Sequence, residues 1–331
     1  MNKFSCQLEI TPWIAEGHDQ ETGLPAFAQA LETMRRQRKL FDFVMPCVWA
    51  CRSDGGFTDS TTLTGDFRAV ADELNQPFWP LIAGACETVN TVVGDPELRK
   101  RNIAELCRLL RDNRCAGVDV DYEFLPRERR EDFNIFVRDL ADELHRHELK
   151  LSIDLHPKVR PDDPWSIGAQ AQDYAVLGEL ADILHVMCYD QYHFSYFYNN
   201  PGPVSTPAWT DAVACYACSA IPAEKLVFGL PTYGFDWNED EPSRTRCIFY
   251  AQVAALREKY QAEEQIDELT GQPFFRYRAE DGARHIVYCE DYRSLGNKFD
   301  VLAKYRFRGL AFWVLTLEDQ RIWDELSARL F

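Results

Sequence analysis

Three acidic residues stand at every second position of the segment RCAGVDVDYEFLP, residues 114–126. They are Asp119, Asp121 and Glu123, and apolar or aromatic residues fill the positions between them. Successive side chains of a β-strand point to opposite faces, so a strand here places all three carboxyl groups on one face. Desolvation and like charge then raise the pKa of at least one of them. A glutamic acid that stays protonated near neutral pH can act as a general acid.

The same pattern allows two other interpretations, a structural polar network and a metal site. Metal ligands usually converge from several elements, whereas these three acids follow one strand. A lone CxxC pair, Cys215 and Cys218, has no second pair beside it and is typical of a buried helix face. The sequence therefore favours acid–base chemistry and predicts neither a metal nor a cofactor.

The elements that must position these acids are eight short apolar runs, each followed by a segment with the apolar spacing of an amphipathic helix. Such alternation predicts an α/β fold, a (β/α)8 TIM barrel. The alternative, an open doubly wound sheet, is weaker because no Gly-rich phosphate loop follows any run. The runs are SCQLEITPW, FDFVMPCVWA, PFWPLIAGA, CAGVDVDYE, LKLSIDLHP, ADILHVMCYD, KLVFGLPTYG and RGLAFWVLTL.

The interval between the seventh and the eighth run is too long for one helix. It holds a helical pattern, YAQVAALREKY, and two strand-like runs, FFRYRA and RHIVYCE, on either side of the turn signal EDGA. We therefore predict one catalytic barrel over residues 1–331, with a small α+β subdomain at about 238–290. The insertion lies between the seventh strand and its helix.

Inside a barrel, inward side chains fill the centre and open into the active site at the carboxyl ends of the strands. The acids of the fourth strand therefore lie inside, with Glu123 at the upper rim. The same alternation predicts an inward set of Ser152, Asp154 and His156 on the fifth strand.

The segment GVDVDYE resembles the DGxDxDxE signature of glycoside hydrolase family 18, the chitinase-like family. VMCYDQY is similar to the family's M-x-Y-D segment, KLVFGLPTYGFDW to its G-x-P-x-Y-G segment, and RGLAFWVLTLED to its tryptophan-ending eighth strand. PFFRYRAEDGARHIVYCEDYRSLGNK resembles the branch of bacterial spore-cortex lytic enzymes. The resemblance covers roughly residues 40–331. Ala116 departs from it, because the signature has an acid there.

This resemblance implies retaining, substrate-assisted hydrolysis of β-1,4 linkages in glycans that contain N-acetylglucosamine, of chitinase or N-acetylglucosaminidase type. Glu123 would be the general acid, and the sugar's 2-acetamido group the nucleophile. Asp121 and Tyr189 would orient that group, and Asp119 would share a proton with Asp121. Inward residues and aromatic residues near strand ends would bind the sugar: Met187, Asp190, Tyr233, Trp313, His156, Trp49 and Trp237.

A catalytically weak or inactive binding protein, with lectin-like recognition of chitooligosaccharides, is the alternative on the same fold. Family members that only bind usually lack the acid at the position of Glu123, so its presence favours an enzyme. The predicted substrate is a chitooligosaccharide, a peptidoglycan fragment or an N-glycan core.

The net charge of the chain limits which other classes of partner are expected. The 331 residues include 53 Asp and Glu against 36 Lys and Arg, a formal net charge of -17, which repels nucleic acid and anionic membranes. The N-terminal segment lacks the pattern of a secretory signal, and no stretch approaches the roughly 18 apolar residues of a membrane span. With 11 scattered cysteines, the sequence predicts a cytoplasmic protein with reduced thiols and leaves its oligomeric state open.

Overall fold

The computed structural model describes residues 3–5, 7–15, 28–59, 61–163, 168–193, 200–315 and 318–331. Residues 6 and 316–317, which belong to the first and eighth predicted strands, lie outside this set. The described strands, in chain order, are β1 (Glu9–Ile10), β2 (Trp13–Ile14), β3 (Met45–Cys51), β4 (Phe57–Asp59), β5 (Leu81–Ala83), β6 (Gly117–Asp121), β7 (Lys150–Leu155), β8 (Ile183–Met187), β9 (Leu226–Pro231), β10 (Tyr233–Asn238), β11 (Arg246–Phe249), β12 (Gln265–Ile266), β13 (Pro273–Arg278), β14 (Arg284–Cys289) and β15 (Gly309–Trp313).

Helices follow most of the barrel strands. They are α1 (Ala28–Arg36), α2 (Thr61–Leu74), α3 (Cys86–Gly94), α4 (Pro96–Asp112), α5 (Arg130–Arg146), α6 (Tyr174–Leu180), α7 (Pro207–Ala220), α8 (Tyr250–Tyr260), α9 (Tyr292–Leu302) and α10 (Arg321–Leu330). Short 3-10 turns cover Arg127–Arg129, Gly168–Ala171 and Pro242–Arg244. Among the described helices, none combines the length and the apolar character that a membrane crossing requires.

The barrel closes through its first segment. In sheet order the strands run β1, β15, β9, β8, β7, β6, β5, β3, β2. β1 pairs in parallel with β15, and β2 pairs in parallel with β3, although both lie within the short stretch 9–14. One segment therefore joins the last strand to the second, and the ring is complete. The predicted (β/α)8 barrel is confirmed.

Alternation divides the core of the barrel into two hydrophobic clusters, and a third lies in the inserted sheet. The outer cluster lies between strands and helices and contains Val118, Val120 and Tyr122 of the β6 segment, all at most 1% exposed. The ring of Tyr122 stacks on Phe136 of α5, with ring centroids 5.5 Å apart. The inner cluster lies inside the barrel and at its mouth, and includes Trp13, Met45, Leu81, Met187 and Ala311. Because the outward positions of β6 are apolar and pack tightly, its acids must point inward.

A five-stranded antiparallel sheet stands between β9 and α9, in the order β11, β10, β14, β13, β12. The predicted helix is α8, and the predicted hairpin is β13–β14. The sequence did not separate β10 from the seventh strand, and it did not predict β11. One face of this sheet joins the inner cluster through Phe235, Trp237, Ile286 and Tyr288. The insertion therefore covers one side of the barrel mouth. Its treatment as a subdomain with bounds near 238–290 stays a prediction.

A buried ion pair fastens this sheet to the barrel. Nζ of Lys298 in α9 lies 2.8 Å from both carboxylate oxygens of Glu290, and both side chains are fully buried. The backbone N–H of Glu290 donates to the carbonyl oxygen of Tyr233 at 3.1 Å. Tyr233, a predicted site residue, is thus held at the junction of the barrel and the inserted sheet.

Candidate active site

The acids of β6 rise through the barrel from a glycine. A Cβ on Gly117 would lie 2.6 Å from the carbonyl oxygen of Lys150 and 2.7 Å from the ring of Trp79, so only glycine fits this position. Above it, Asp119 is fully buried, whereas Asp121 and Glu123 are partly exposed. Asp119 contacts residues of β2, β7 and β8 inside the barrel, and Glu123 contacts the residue directly after β7.

Asp119 forms the base of the site and is surrounded by donors. Its Oδ2 accepts the indole N–H of Trp13 at 2.7 Å. Its Oδ1 accepts the hydroxyl of Ser152 and lies 3.1 Å from Nδ1 of His185. Burial alone would raise the pKa of Asp119, but His185, Ser152 and Trp13 outweigh it, and the pKa lies below its ordinary value. Asp119 is therefore the ionised member of the group.

Asp154 and Asp121 lie close to this charge and lack comparable support. Burial and the neighbouring Asp119 raise the pKa of Asp121 to about 7. The same causes, with Asp121 added, raise the pKa of Asp154 well above its ordinary value. Among the described residues, Oδ1 of each has no hydrogen-bond partner. Both carboxyl groups therefore tend to hold a proton near neutral pH.

Glu123 lies at the upper rim, where β6 has ended. Its side chain is 28% exposed, so a substrate can reach it. Burial, followed by the neighbouring acids Asp121, Asp190 and Asp154, raises the pKa of Glu123 well above its ordinary value. A protonated carboxyl group at the open end of the barrel has the property that a general acid requires.

The segment after β8 contributes a second wall. Tyr189 packs edge-on between Trp13 and Tyr233, with ring centroids 6.4 Å and 6.2 Å away. The hydroxyl of Tyr233 donates to Oδ1 of Asp190, whose φ of +59° turns the chain away from the strand direction. Burial raises the pKa of Asp190 to about 7, against the opposing effect of that hydrogen bond. Met187, 5% exposed, lies below them in the inner cluster.

The three predicted tryptophans fall in different places. Trp313, at the end of β15, is partly exposed, and its ring centroid lies 6.2 Å from that of Trp13. Trp49 is 1% exposed and packs in the outer cluster. Trp237 is also 1% exposed, and its indole N–H donates to the carbonyl oxygen of Gly202 at 3.0 Å. In this structure only Trp313 offers a ring face toward the site, and protein covers the other two.

Metal binding has one geometric candidate in the described part of the chain. Ligand atoms of Asp119, Asp154 and His185 lie within 4.8 Å of one another. Both oxygens of Asp119 are already engaged by Trp13, Ser152 and His185. Nδ1 of His185 also lies 3.4 Å from Oδ1 of Asp154. We interpret this cluster as two carboxyl groups and an imidazole that share protons, and we assign no metal ligand to it.

Sequence reasoning missed the role of Trp13. The first apolar run contains this residue, but nothing in the spacing of that run shows that the indole reaches Asp119, 106 positions later. The inward phase of His185 and Asp154 was predictable, whereas their contact with one another across β7 and β8 requires the strand register, in which the two residues are partners.

Replacing Asp121 by asparagine should stabilise the protein at alkaline pH. A carboxyl group whose pKa is raised by folding lowers the free energy of unfolding as pH rises from its unfolded value, near 4, through its folded value. With a folded pKa of about 7, that loss is complete by pH 8. We expect the free energy of unfolding of Asp121→Asn to exceed that of the wild type by up to about 4 kcal/mol at pH 8 and by much less at pH 5. Urea unfolding at both values measures this difference.

Asp119→Asn is the matched control, because the pKa of Asp119 is lowered by folding and its carboxylate is fully hydrogen-bonded. This variant should be less stable than the wild type at pH 8. If Asp121→Asn were also less stable there, the proposed proton distribution would be wrong.

Comparison with known proteins agrees with this geometry. The profile of the family described as Glycosyl hydrolases family 18 matches residues 82–318. The cortical fragment-lytic enzyme of Bacillus subtilis is 30% identical over 71% of this chain and 54% of its own length. The chain thus spans about half the length of such curated relatives. They support the predicted resemblance to the spore-cortex lytic branch.

Solved structures show the same fold. The spore cortex-lytic enzyme SleL of Bacillus megaterium QM B1551 has a TM-score of 0.83 and 23% identity, covering 100% of this chain and 75% of its own. A chitinase from Chromobacterium violaceum ATCC 12472 has a TM-score of 0.84 and 23% identity, covering 98% of this chain and 99% of its own. The family profile spans most of the chain and includes every acid of the site, and the chain belongs to glycosyl hydrolase family 18.

Proposed function

We propose that this protein hydrolyses β-1,4 linkages of glycans that contain N-acetylglucosamine, with retention and with assistance from the substrate. The observation that carries the proposal is the state of Glu123, a reachable carboxyl group at the barrel mouth whose pKa is well above its ordinary value. Membership of the glycosyl hydrolase family supports the reaction class. The linkage, the mechanism and the residue roles are inferences from the site.

In the first step, Glu123 donates its proton to the glycosidic oxygen as the bond to C1 breaks. General acid assistance of this kind contributes typically a hundredfold to ten-thousandfold in rate. The carboxyl group is protonated before substrate arrives because burial and three neighbouring acids disfavour its charge. Loss of the proton leaves a carboxylate, which then acts as the base for the incoming water.

The nucleophile comes from the substrate. A direct carboxylate nucleophile would have to face the acid across the scissile bond. Asp121 lies two residues below Glu123 on the same strand, and Oδ1 of Asp190 is occupied by Tyr233. The carbonyl oxygen of the 2-acetamido group therefore attacks C1 and forms an oxazolinium. Water then attacks C1 from the side of the departed group, Glu123 takes its proton, and the configuration is retained.

Two residues hold the acetamido group in the reactive position. Asp121 accepts the acetamido N–H, and transfer of the proton of Asp121 to Asp119, with which it is shared, leaves a carboxylate that stabilises the positive charge as it develops. The hydroxyl of Tyr189 donates to the acetamido oxygen. The ionised Asp119 below Asp121 favours the protonated state of that neighbour at rest. Holding a reacting group in place can supply several kcal/mol of the barrier reduction.

The remaining wall binds the sugar. The partly exposed ring of Trp313 stacks on an apolar sugar face, since aromatic side chains provide large contact areas. Asp190, oriented by Tyr233, accepts from a sugar hydroxyl, and Met187 closes the base of the subsite. We propose a chitooligosaccharide, a peptidoglycan fragment or an N-glycan core as the substrate. Relatives named as a cortical fragment-lytic enzyme and a chitinase support the first two.

Glu123→Gln should abolish hydrolysis while leaving the fold and sugar binding intact. The amide has the shape of the carboxyl group and cannot supply its proton, so we expect kcat to fall roughly a hundred- to ten-thousandfold. The measurement is hydrolysis of chitotriose, a reduced muropeptide glycan and a high-mannose N-glycan by both proteins. Glu128→Gln, a change at an exposed acid in the neighbouring 3-10 turn, is the control and should retain full activity. Activity of Glu123→Gln within threefold of the wild type would reject the assignment.

Hydrolysis should depend on the 2-acetamido group. Intramolecular attack carries an effective molarity on the order of 10⁵ M or more, so a matched glucoside should be cleaved at least about a hundredfold more slowly. Paired kinetics on an N-acetylglucosaminide and a glucoside with the same leaving group measure the ratio. A thiazoline analogue of the oxazolinium should inhibit, because mimics of an intermediate bind more tightly than substrate. Comparable rates, or a glycosyl group trapped on any carboxylate, would contradict substrate assistance.

A further inference from the structure

His156 lies directly after β7 and contacts the segment that carries the acid. Its side chain is buried, and its Nε2 accepts the backbone N–H of Phe124 at 3.2 Å. The same nitrogen lies 3.5 Å from Oε2 of Glu123. One ring atom therefore contacts both the carboxyl group and the peptide that follows it.

The peptide at Phe124 needs such a partner. Its φ of +55° lies in the left-handed region, which bulky residues rarely adopt. Such a conformation costs on the order of 1 kcal/mol or more and persists only where the surroundings hold it. Besides the hydrogen bond, the ring of His156 packs edge-on against the ring of Phe124, with centroids 4.9 Å apart. His156 thus fixes the turn that ends the strand directly after Glu123.

His156 is itself held from three sides. Its backbone N–H donates to Oε1 of Gln172 at 2.7 Å, and its carbonyl oxygen accepts the hydroxyl of Tyr174. A Cβ on Gly168 would lie 2.2 Å from Nε2, so a glycine there leaves the space that the ring occupies. The position of the ring is therefore determined by the fold and does not require a bound sugar.

The ring is also neutral. Because Nε2 accepts an N–H, the ring proton belongs to Nδ1. Burial and the nearby Lys158 lower the pKa of His156 to about 3. A neutral ring displaces water from Glu123. A positively charged ring would stabilise the carboxylate form of Glu123, and the neutral ring does not have this effect. The other titratable groups around this carboxyl group come from β6, β7 and the segment after β8, namely Asp121, Asp154, Tyr189 and Asp190, whereas Lys158 acts on the ring of His156.

We propose that His156 is a positioning residue for Glu123, which fixes the backbone after the acid and keeps water and positive charge away from its carboxyl group. The role deepens the proposed function and rests on it for its catalytic meaning. It differs from the sugar contact that the sequence predicts for this histidine, because the ring acts on the acid and not on the ligand.

Titration of Glu123 itself tests this role without substrate. In protein labelled with ¹³C at the glutamate carboxyl groups, the Glu123 resonance is the one absent from Glu123→Gln. We expect His156→Ala to lower the midpoint of this resonance by about one pH unit or more, because water enters the space of the ring. His156→Gln, whose neutral amide oxygen can accept the N–H of Phe124, should shift it less.

The pH dependence of catalysis should shift in the same direction as the titration of Glu123. The alkaline limb of kcat/KM against pH reports the acid of the free enzyme, so it should move to lower pH in His156→Ala and be largely restored in His156→Gln. A purely structural role would lower kcat/KM equally at every pH and leave the limb in place. An unchanged Glu123 midpoint in folded His156→Ala would overturn the proposal. If that variant does not fold, His156→Asn, whose side chain is shorter than histidine, replaces it, and an unchanged midpoint there would overturn the proposal too. A wild type inactive on every glycan would reject the proposed function, while the midpoint would still decide the role of His156.

Discussion

The constraint on which this site depends is the burial of several carboxyl groups in one narrow space. Like charges a few ångströms apart inside a protein cannot all be ionised. One of them, Asp119, has an indole N–H, a hydroxyl and an imidazole as partners, and these stabilise its charge. The carboxyl groups above it receive less support and keep their protons. One stabilised charge therefore lies at the base, while burial and the neighbouring acids keep the carboxyl group of Glu123 at the rim protonated.

Every donor to Asp119 comes from a different strand, so the charge also depends on barrel closure. Ser152 lies on β7 and His185 on β8, beside β6, whereas Trp13 lies on β2 and reaches Asp119 because the first segment joins both ends of the sheet. Gly117 keeps the base of β6 narrow, and the inserted sheet covers the mouth beside Tyr233. The arrangement of charge around Asp119 thus depends on the closure of the barrel, on the register of its strands and on the inserted sheet.

Much of this arrangement follows from the alternation of side chains along a β-strand, in which every second residue faces the same side of the sheet. The inward phase of β6, β7 and β8 could be predicted because each strand is regular and its outward positions are apolar. Trp49 shows where this reasoning fails. The register of β3 shifts between Cys47 and Trp49, so Cys47 faces the inner cluster while Trp49 packs in the outer one. The burial of Trp237 was not predicted, because its strand belongs to an antiparallel sheet whose face is buried against the barrel. No sequence pattern shows a bulge or a sheet–barrel contact in advance.

The account can be tested most directly by locating the protons. A neutron structure of the deuterated wild-type protein at about pH 6 would show which carboxyl groups carry a deuteron. The directions of the pKa shifts predict a deuteron on Glu123 and on Asp154, and none on Asp119. A deuteron on Asp119, or a bare carboxylate at Glu123, would contradict the claim that Asp119 carries the charge of this group while burial and the neighbouring acids keep Glu123 protonated.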